Sequence, residues 1–349
     1  MGRSTRLENA TKLLYRANSC LIRGSPGLPM SVLLITSNRL GDAVLTTGTV
    51  PHLAARYPDL PIIVACGALP APLFEAMPEV AAVWPMVKQP RGGHWFKLWR
   101  RAIGRPWRHV VDLRGSAFAY SVLARRRTVL HTDHTLRHRV LHLTEGLGAS
   151  APVSPHVAWL PEHEAEARMR LPTGRPFLAI GPTANWAGKQ WPATSFGEVA
   201  ARLTGPGGPL ADASILVAGA PDEMAAARPA IDRLPADRTV AAFGWPLPVL
   251  AAAFSRAALY IGNDSGLMHL AAAVGTPTLG LFGPSRDAHY APWGECNRVI
   301  RTPAAYEDYL TPNGLDTERA ARLMGEIQAG TVYAAAAEML AERGNSRRD

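Results

Sequence analysis

The chain has 349 residues, of which 47% are hydrophobic and 19% charged, enough apolar material for two ordinary domains and too much for a largely disordered protein. Its formal net charge of +9 favours an anionic partner. Three cysteines without a CxxC spacing exclude a disulfide framework or a zinc ribbon and are typical of a reducing compartment. Arg16 and Asn18 interrupt the early apolar stretch, so the sequence predicts neither a signal peptide nor a membrane span.

A basic N-terminal extension, residues 1–30, precedes a region in which short apolar runs alternate with helix-like segments. Strands are predicted at residues 32–36, 61–65, 80–84 and 109–113, and helices at residues 43–57, 72–77 and 116–126. Continuous apolar strands separated by helices are typical of a parallel sheet that is covered on both faces. Residues 31–155 are therefore predicted to form one doubly wound α/β domain.

Residues 156–176 carry several prolines and an acidic helical stretch, and they are predicted to link two domains. The alternation then resumes, with strands predicted at residues 177–180, 215–218, 259–261 and 278–282. We expect a second doubly wound domain over residues 177–316 and one long Ala-rich helix, about 317–343, within the C-terminal segment 317–349. Ligands of open parallel sheets bind where strands end and helices begin, so those loops are the places to look for chemistry.

Positive charge is concentrated between Lys88 and Arg139, where thirteen Lys or Arg residues stand against two acids, Asp112 and Asp133. This concentration favours an anionic ligand or an anionic membrane surface over a merely solvated face. Nucleic acid is the competing partner, but the chain has no zinc-finger, basic-zipper or RNP-type pattern. The N-terminal extension has helical apolar spacing that fits either an interfacial helix or a helix packed on the protein body.

The first candidate motif runs from Ser37 to Asp42, between the first predicted strand and the first predicted helix. It lacks the GxGxxG spacing, which removes most support for a dinucleotide-binding dehydrogenase. Asp42 fits two roles. The local sequence favours an N-cap of the helix, and the functional alternative is a carboxylate that accepts a proton from an attacking hydroxyl.

The second motif, from Gly181 to Pro192, follows the first strand of the second domain and contains Lys189. A lysine in a glycine-containing loop before a helix can hold a phosphate and stabilise a phosphate leaving group. Taken alone, a solvated loop lysine is the default interpretation. The loop also lacks Walker spacing, so P-loop chemistry is not supported.

The third and most specific motif runs from Tyr260 to Pro277 and comprises a strand, a Gly/Asn/Asp/Ser turn and a helix of small residues. Backbone N–H groups at the start of this helix form an anion site suited to a diphosphate. Phosphate would repel Asp264, which therefore fits sugar hydroxyls better. His269 lies one helical turn after Ser265, and a ligand role and a satisfied core position are about equally favoured for it.

Together these motifs resemble glycosyltransferase family 9, the ADP-heptose:lipopolysaccharide heptosyltransferases. The resemblance runs in order over most of residues 31–330, includes Val111-Asp112-Leu113-Arg114-Gly115, and is most specific in the third motif and its continuation to Ser285. It implies the GT-B fold, in which two Rossmann-like doubly wound domains face a central cleft, the acceptor mainly on the first and the nucleotide sugar mainly on the second. The C-terminal helix is then expected to pack back toward the N-terminal domain.

The resemblance also implies roles for individual residues. Asp42 matches the general base, and Arg39 and Gly41 lie beside it on the acceptor side. The residues that match the donor site, where Glu223 corresponds to an acidic residue near the nucleoside, are Thr183, Lys189, Glu223, Asp264, Ser265, Gly266 and His269. The chain departs from the family pattern at Thr46-Thr47-Gly48, where a proline is usual, and at Asn263-Asp264-Ser265, where an Asp-Thr pair is commoner, so the sugar itself is not fixed by the resemblance.

The predicted reaction is inverting, metal-independent transfer of a sugar, with heptose favoured, from a nucleotide-diphosphate sugar such as ADP-heptose to an anionic, lipopolysaccharide-core-like glycolipid. The chain contains no Asp-x-Asp pair, so fixed positive groups rather than a metal are predicted to neutralise the leaving diphosphate, and no cofactor is predicted. We expect a cytoplasmic protein that contacts the inner face of the cytoplasmic membrane transiently, without a nucleic-acid partner. The alternatives are a nucleotide-sugar epimerase or hydrolase of the same fold, and a non-catalytic nucleotide-sugar or nucleic-acid binding protein.

Overall fold

The computed structural model describes residues 30–131, 135–171, 176–311 and 314–345, so the predicted N-terminal extension lies outside the described residues except for Met30. The chain divides into two compact units. The first contains the residues up to Thr135 together with residues 140–158, and the second contains residues 136–139 and the chain from Trp159 onward. Within the described residues, no helix combines the length and the apolar character needed to cross a membrane.

The first unit is built on a five-stranded parallel sheet in the order β3-β2-β1-β4-β5. Its strands are β1 (Ser31–Ile35), β2 (Ile62–Gly67), β3 (Val80–Met86), β4 (Trp107–Asp112) and β5 (Ala124–Val129). Its helices are α1 (Leu40–Leu45), α2 (Thr49–Arg56), α3 (Ala71–Glu75), α4 (Gly93–Ala102) and α5 (Arg139–Leu147). All six residues of β2 and four of the five in β1 are buried, which is why the central strands are apolar without interruption.

The segment predicted as a helix at residues 116–126 is not one. It forms a short 3-10 turn at Ala117–Tyr120 and then the strand β5, which lies at one edge of the sheet. Arg125, Arg126 and Arg127 are exposed on this edge. The prediction was wrong because an edge strand tolerates consecutive charged residues, which from sequence look like the solvent face of a helix.

The helix predicted at residues 43–57 is interrupted at Thr46–Gly48 and forms α1 and α2. The hydroxyls of Thr46 and Thr47 each donate to the carbonyl oxygen three residues earlier, and the Thr47 hydroxyl also accepts the His156 backbone N–H at 2.9 Å. A Cβ atom on Gly48 would lie 2.0 Å from the Ser154 carbonyl oxygen. The break therefore reflects hydroxyl bonding to the backbone and the close approach of a distant segment.

The second unit contains a six-stranded parallel sheet in the order β11-β10-β9-β6-β7-β8 and a two-stranded antiparallel ribbon, β12-β13. The strands of the larger sheet are β6 (Phe177–Gly181), β7 (Ser214–Gly219), β8 (Thr239–Phe243), β9 (Leu259–Asn263), β10 (Thr278–Phe282) and β11 (Arg298–Arg301), and those of the ribbon are β12 (Leu310–Thr311) and β13 (Gly314–Leu315). The helices are α6 (Pro161–Arg170), α7 (Ala193–Thr204), α8 (Met224–Ile231), α9 (Leu247–Phe254), α10 (Gly266–Ala273), α11 (Asp287–Tyr290), α12 (Thr317–Met324) and α13 (Ala329–Asn345).

Part of the segment predicted as a linker is helical. The helix α6 packs against α9, and the Arg170 guanidinium lies 4.9 Å from the centre of the Trp245 ring. These residues therefore fold as part of the second unit. The predicted domain boundaries stay a prediction.

The C-terminal segment forms two helices rather than the single long helix predicted. Between α12 and α13, the carbonyl oxygen of Ile327 accepts the indole N–H of the buried Trp191 at 2.9 Å, which anchors the break to the core. Within the second unit α13 packs on α7 and β9, and Arg343 donates to the carbonyl oxygens of Ala257 and Ala258. The predicted packing of this segment toward the first domain stays a prediction.

Candidate functional site

The loop after β1 places Asp42 in the first turn of α1. The N-cap is Arg39, which is exposed and makes no side-chain capping bond, so Asp42 is not the cap that local sequence favours. The Ser37 hydroxyl accepts the Arg39 backbone N–H at 3.1 Å and lies 3.5 Å from the Asp42 carboxylate, at the limit of a hydrogen bond. Gly41 and Asp42 are half-buried. The Asp42 carboxylate is therefore accessible from solvent, and its contact with the Ser37 hydroxyl is weak.

Two further loops meet the chain at the end of β1. Gly67, at the end of β2, packs so closely that a Cβ atom there would lie 2.6 Å from the Asn38 Cα. Arg114, which follows β4, donates to the Asn38 side-chain oxygen at 3.4 Å, and its own backbone N–H donates to the buried Asp112 at 2.9 Å. A guanidinium therefore lies at the same sheet edge as Asp42. The sequence analysis quoted Arg114 only within a strand motif and gave it no role.

In the second unit, Lys189 and Asp264 form an ion pair across 75 residues of sequence, with 2.6 Å between Nζ and Oδ2. Asp264 directly follows β9, and its backbone N–H donates to the Leu281 carbonyl oxygen at 3.1 Å, which fixes its position. Its side chain is 7% exposed, whereas that of Lys189 is 28% exposed. An ammonium has three donor hydrogens and this pair occupies one, so Lys189 can still bind an anion from the solvent side.

Opposing effects act on the charge of Asp264. Burial alone would raise the pKa of this carboxyl, but the neighbouring His269 imidazole and the Lys189 ammonium lower it below its ordinary value. The carboxylate therefore stays ionised at neutral pH. The sequence analysis predicted that Asp264 binds sugar hydroxyls, which stays a prediction. The structure shows that its carboxylate pairs with the ammonium group of Lys189.

The helix α10 begins at Gly266, directly after this carboxylate. Its N-cap, Ser265, makes no side-chain capping bond, so the backbone N–H groups of the first turn are open to a ligand. His269 is 4% exposed, its Nε2 lies 3.7 Å from Asp264 Oδ1, and its Nδ1 has no hydrogen-bond partner among the described residues. A buried ring nitrogen without a partner is not a satisfied core group, which favours the ligand interpretation.

Thr183 and Glu223, both predicted on the donor side, are brought together by the loops after β6 and β7. The Thr183 hydroxyl donates to Glu223 Oε2 at 2.7 Å, and the Ala220 backbone N–H donates to the same oxygen at 2.9 Å. The carboxylate is therefore held at the carboxyl edge of the sheet. Among the described residues, no group of three or more His, Cys, Asp or Glu could hold a metal ion.

Asn263 is a residue to which the sequence analysis gave no role of its own. It is fully buried, its amide donates to the Pro182 carbonyl oxygen at 3.0 Å, and its side-chain oxygen accepts the Trp191 backbone N–H at 2.9 Å. It thereby clamps both ends of the loop that carries Lys189. The signal in the sequence was an amide at the end of an otherwise apolar strand, immediately before Asp264.

Two doubly wound parallel units are the architecture of the GT-B fold, and the second unit carries a lysine and a helix N-terminus at its strand ends. The sequence pattern of glycosyltransferase family 9 (heptosyltransferase) matches residues 100–310, more than half of the chain. The chain therefore belongs to glycosyltransferase family 9, and the resemblance noted in the sequence is confirmed.

Relatives of known function are similar over most of their length. The chain is 26% identical to lipopolysaccharide heptosyltransferase 2 of Salmonella typhimurium over 325 residues, which cover 79% of this chain and 89% of that protein. It is also 26% identical to lipooligosaccharide heptosyltransferase 2 of Haemophilus influenzae over 313 residues, or 78% of this chain and 88% of that protein.

Solved structures share the fold. The structure of Escherichia coli ADP-heptose lipopolysaccharide heptosyltransferase II superposes with a TM-score of 0.70 at 21% identity, covering 90% of this chain and all of that chain. A family 9 glycosyltransferase from Veillonella parvula gives a TM-score of 0.73 at 23% identity, covering 90% of this chain and 97% of that chain. The predicted GT-B fold class is confirmed.

Proposed function

We propose that this glycosyltransferase moves a heptose from ADP-heptose, or a closely similar nucleotide-diphosphate sugar, to a hydroxyl of a lipopolysaccharide-core glycolipid. The observation that carries the proposal is the Lys189–Asp264 pair beside the start of α10. It combines an oriented ammonium with open backbone donors, which suits a diphosphate leaving group. The named activities of the similar heptosyltransferases supply the sugar and the acceptor class.

On the donor side, Lys189 and the first turn of α10 bind the diphosphate. Asp264 orients Lys189 and accepts hydrogen bonds from the sugar hydroxyls. His269 donates hydrogen bonds to these hydroxyls or accepts them. Thr183 and Glu223, joined at 2.7 Å, bind the nucleoside side, where a fixed carboxylate oxygen can accept hydrogen bonds from ribose hydroxyls.

Asp42 is the general base. The acceptor hydroxyl oxygen attacks the anomeric carbon, the bond from that carbon to the phosphate oxygen breaks, and the electron pair leaves with the nucleoside diphosphate. The hydroxyl proton passes to the Asp42 carboxylate, whose weak internal engagement keeps it reachable. A single displacement of this kind inverts the anomeric configuration. Arg39 and Gly41, beside Asp42, lie on the acceptor side.

The leaving diphosphate is neutralised by fixed protein groups, so no divalent metal is required for turnover. Lys189 supplies a full positive charge, and the N–H groups of α10 supply the partial positive charge of a helix N-terminus. The acceptor is anionic and membrane-borne, so the protein works at the inner face of the cytoplasmic membrane, and nucleic acid is not a partner.

The test incubates the full chain with a panel of nucleotide sugars, including ADP-heptose, with and without core glycolipid lacking the terminal heptose. Mass spectrometry should detect a glycolipid heavier by one heptose, with no loss of activity in excess chelator, and NMR of the product should show inverted anomeric configuration. Free sugar or a changed nucleotide sugar formed without acceptor would instead identify a hydrolase or an epimerase. Absence of any product with every donor and acceptor would refute the proposal.

A further inference from the structure

The first unit exposes several large apolar side chains close together on α4 and on the loop before β5. Phe96 is 59% exposed, Tyr120 67% and Leu123 78%, although side chains of this size are usually buried. We call the surface formed by Phe96, Trp99, Ile103, Tyr120 and Leu123 the α4 face. A group of exposed large apolar side chains of this kind is typical of an interaction site.

Ring contacts and hydrogen bonds hold the α4 face together. The Phe96 and Trp99 rings stack with centres 5.9 Å apart, and the Trp99 indole N–H donates to the Ser121 carbonyl oxygen at 3.3 Å. The Leu123 carbonyl oxygen accepts the Trp107 backbone N–H at 3.1 Å. The helix and the loop therefore form one surface rather than two independent ones.

The loop that presents Tyr120 and Leu123 is fixed by Arg127. Its guanidinium donates to three carbonyl oxygens, those of Ala119 at 2.8 Å, Val122 at 2.8 Å and Ala124 at 3.1 Å. Because the Arg127 guanidinium makes these three bonds to the backbone of the loop, few of its N–H groups are left to bind a ligand. Its effect is to keep the two apolar side chains exposed in a fixed arrangement, which lowers the entropic cost of binding through them.

Basic residues lie beside the apolar side chains of α4. At 100° per residue, Phe96 and Trp99 share one face of α4, which Ile103 continues directly after the helix ends. The buried Leu98 side lies on one flank of this face and the charged residues on the other. Those exposed cations are Lys97, Arg100 and Arg101. An amphipathic helix with aromatic and aliphatic residues beside Lys and Arg is the pattern of a helix that lies in a membrane interface.

The charge balance selects the partner. From Gly93 to Arg127 the chain carries nine Lys or Arg and one acid, Asp112, which is fully buried and bonded to the backbone of Arg114. A second copy docking through the same face would place these cations opposite one another, which costs free energy. Nucleic acid would match the charge but gains little from exposed aliphatic side chains such as Ile103 and Leu123.

We infer that the α4 face docks on an anionic lipid bilayer, with Phe96, Ile103 and Leu123 entering the interface and Lys97, Arg100 and Arg125 binding lipid phosphates. Arg125 lies two residues before Arg127 on β5, so the two point to the same side of the sheet. Docking on the bilayer would bring the protein to the membrane-borne acceptor of the proposed glycolipid transfer. The inference rests on the proposed function only for this biological role. Bilayer binding is a separate equilibrium that needs no donor and no sugar transfer.

The test is sedimentation of the full chain with vesicles of phosphatidylcholine alone and with an equal part of phosphatidylglycerol. We expect about tenfold tighter binding to the anionic vesicles, weakening as salt is raised. The double variant Phe96→Ser/Leu123→Ser should lose about tenfold in binding, and Arg100→Gln/Arg125→Gln about tenfold or more. Two matched controls in the second unit should bind as wild type: Met169→Ser, an 80% exposed methionine, and Arg233→Gln/Arg256→Gln, two exposed arginines.

All four variants alter exposed positions, and thermal melting identifies any that fails to fold. Equal binding to both kinds of vesicle, or binding unchanged by the apolar and the charge variants alike, would overturn the inference. So would a dimer in sedimentation velocity that Phe96→Ser/Leu123→Ser dissociates, or binding of single-stranded DNA that depends on the arginines and exceeds vesicle binding. Vesicle binding without sugar transfer would instead refute the proposed function and leave the α4 face standing.

Discussion

The two units each place an aspartate just after a central parallel strand, and they treat it in opposite ways. Asp42 follows β1, is half-buried, and has one contact of 3.5 Å to the Ser37 hydroxyl. Asp264 follows β9, is buried, and lies 2.6 Å from the Lys189 ammonium. Both lie between a strand and the first turn of the following helix, but their electrostatic surroundings differ completely.

The difference separates two kinds of chemistry that one residue type can perform. A carboxylate that takes a proton must be reachable and not already committed to a permanent cation. A carboxylate that orients a cation must be buried and stay ionised, which the Lys189 ammonium and the His269 imidazole ensure for Asp264. We therefore propose proton transfer for the first unit and charge stabilisation for the second. The first two predictions below each test one side of that proposal, and the remaining ones compare the stability of the two units.

The largest effect is expected for Asp42→Asn. The amide keeps the shape of the side chain but cannot accept the acceptor proton, so turnover should fall about a thousandfold. Calorimetric titration with ADP should give an affinity within a factor of two of wild type, because the proposed donor site lies in the second unit. Ser37→Ala is the matched control and should cost little, since its contact to Asp42 is long. Turnover retained in Asp42→Asn would remove this residue as the base.

Lys189→Met should lower turnover about a hundredfold by removing charge stabilisation of the leaving diphosphate. Lys189→Arg should recover part of it, because the charge is kept in a different shape. Since we propose that Asp264 acts on the diphosphate through Lys189, adding Asp264→Asn to Lys189→Met should cost much less than Asp264→Asn alone. Steady-state kinetics of wild type, Lys189→Met, Asp264→Asn and the double variant measures this coupling. If the losses of turnover in the two single variants simply add in the double variant, Asp264 acts independently of Lys189.

The two units should also differ in acid sensitivity. His109 on β4 is buried beside Tyr57 and Thr128, and burial, reinforced by neighbouring arginines, lowers its pKa to about 4. The unfolded chain binds a proton near pH 6.5 and the folded chain does not, so stability falls by up to about 3 kcal/mol as the pH drops from 6.5 to 4. Asp264 behaves differently. Its lowered pKa contributes stability that is present above about pH 4 and is lost only as the pH falls through the folded value.

Urea unfolding followed by tryptophan fluorescence at a series of pH values measures this contrast. His109→Gln should flatten the dependence between pH 6.5 and 4.5, whereas Asp264→Asn should shift the whole curve in that range without changing its slope. Identical slopes for wild type and His109→Gln would contradict the assignment of the acid sensitivity to His109.

The smallest effect is expected on the stability of the first unit, at the close contact between Gly48 and Ser154. Gly48→Ala puts a Cβ atom 2.0 Å from the Ser154 carbonyl oxygen, so the segment must move, at a cost of about 2 kcal/mol in the free energy of unfolding. Gly330→Ala in α13 is the matched control. Nothing lies within 4 Å of its added methyl, so its stability should stay within about 0.5 kcal/mol of wild type or rise. Thermal unfolding of both variants measures this difference. Equal melting temperatures would show that the segment around Ser154 moves away from the added methyl without a cost in stability.

Much of the architecture could be predicted because buried parallel strands are apolar without interruption. The strands β1, β2, β6, β7 and β10 lie within a residue or two of their predicted positions. The candidate loops could also be located, since parallel strands bring their carboxyl ends to one edge. The strand β5 was missed because Arg125, Arg126 and Arg127 carry no apolar signal, and an edge position is a property of the whole sheet.

The sequence by itself determined the fold class, the family and the types of residue that carry the chemistry, because hydrophobic period and motif order are local properties of the chain. Only the tertiary structure decided which groups meet. Lys189 and Asp264 are separated by 75 residues, and Thr183 and Glu223 by 40, and no local pattern encodes such a distance. The groups that pack around a carboxylate also decide whether it is an N-cap, a base or a counter-ion, since they set the pKa and the exposure of its side chain.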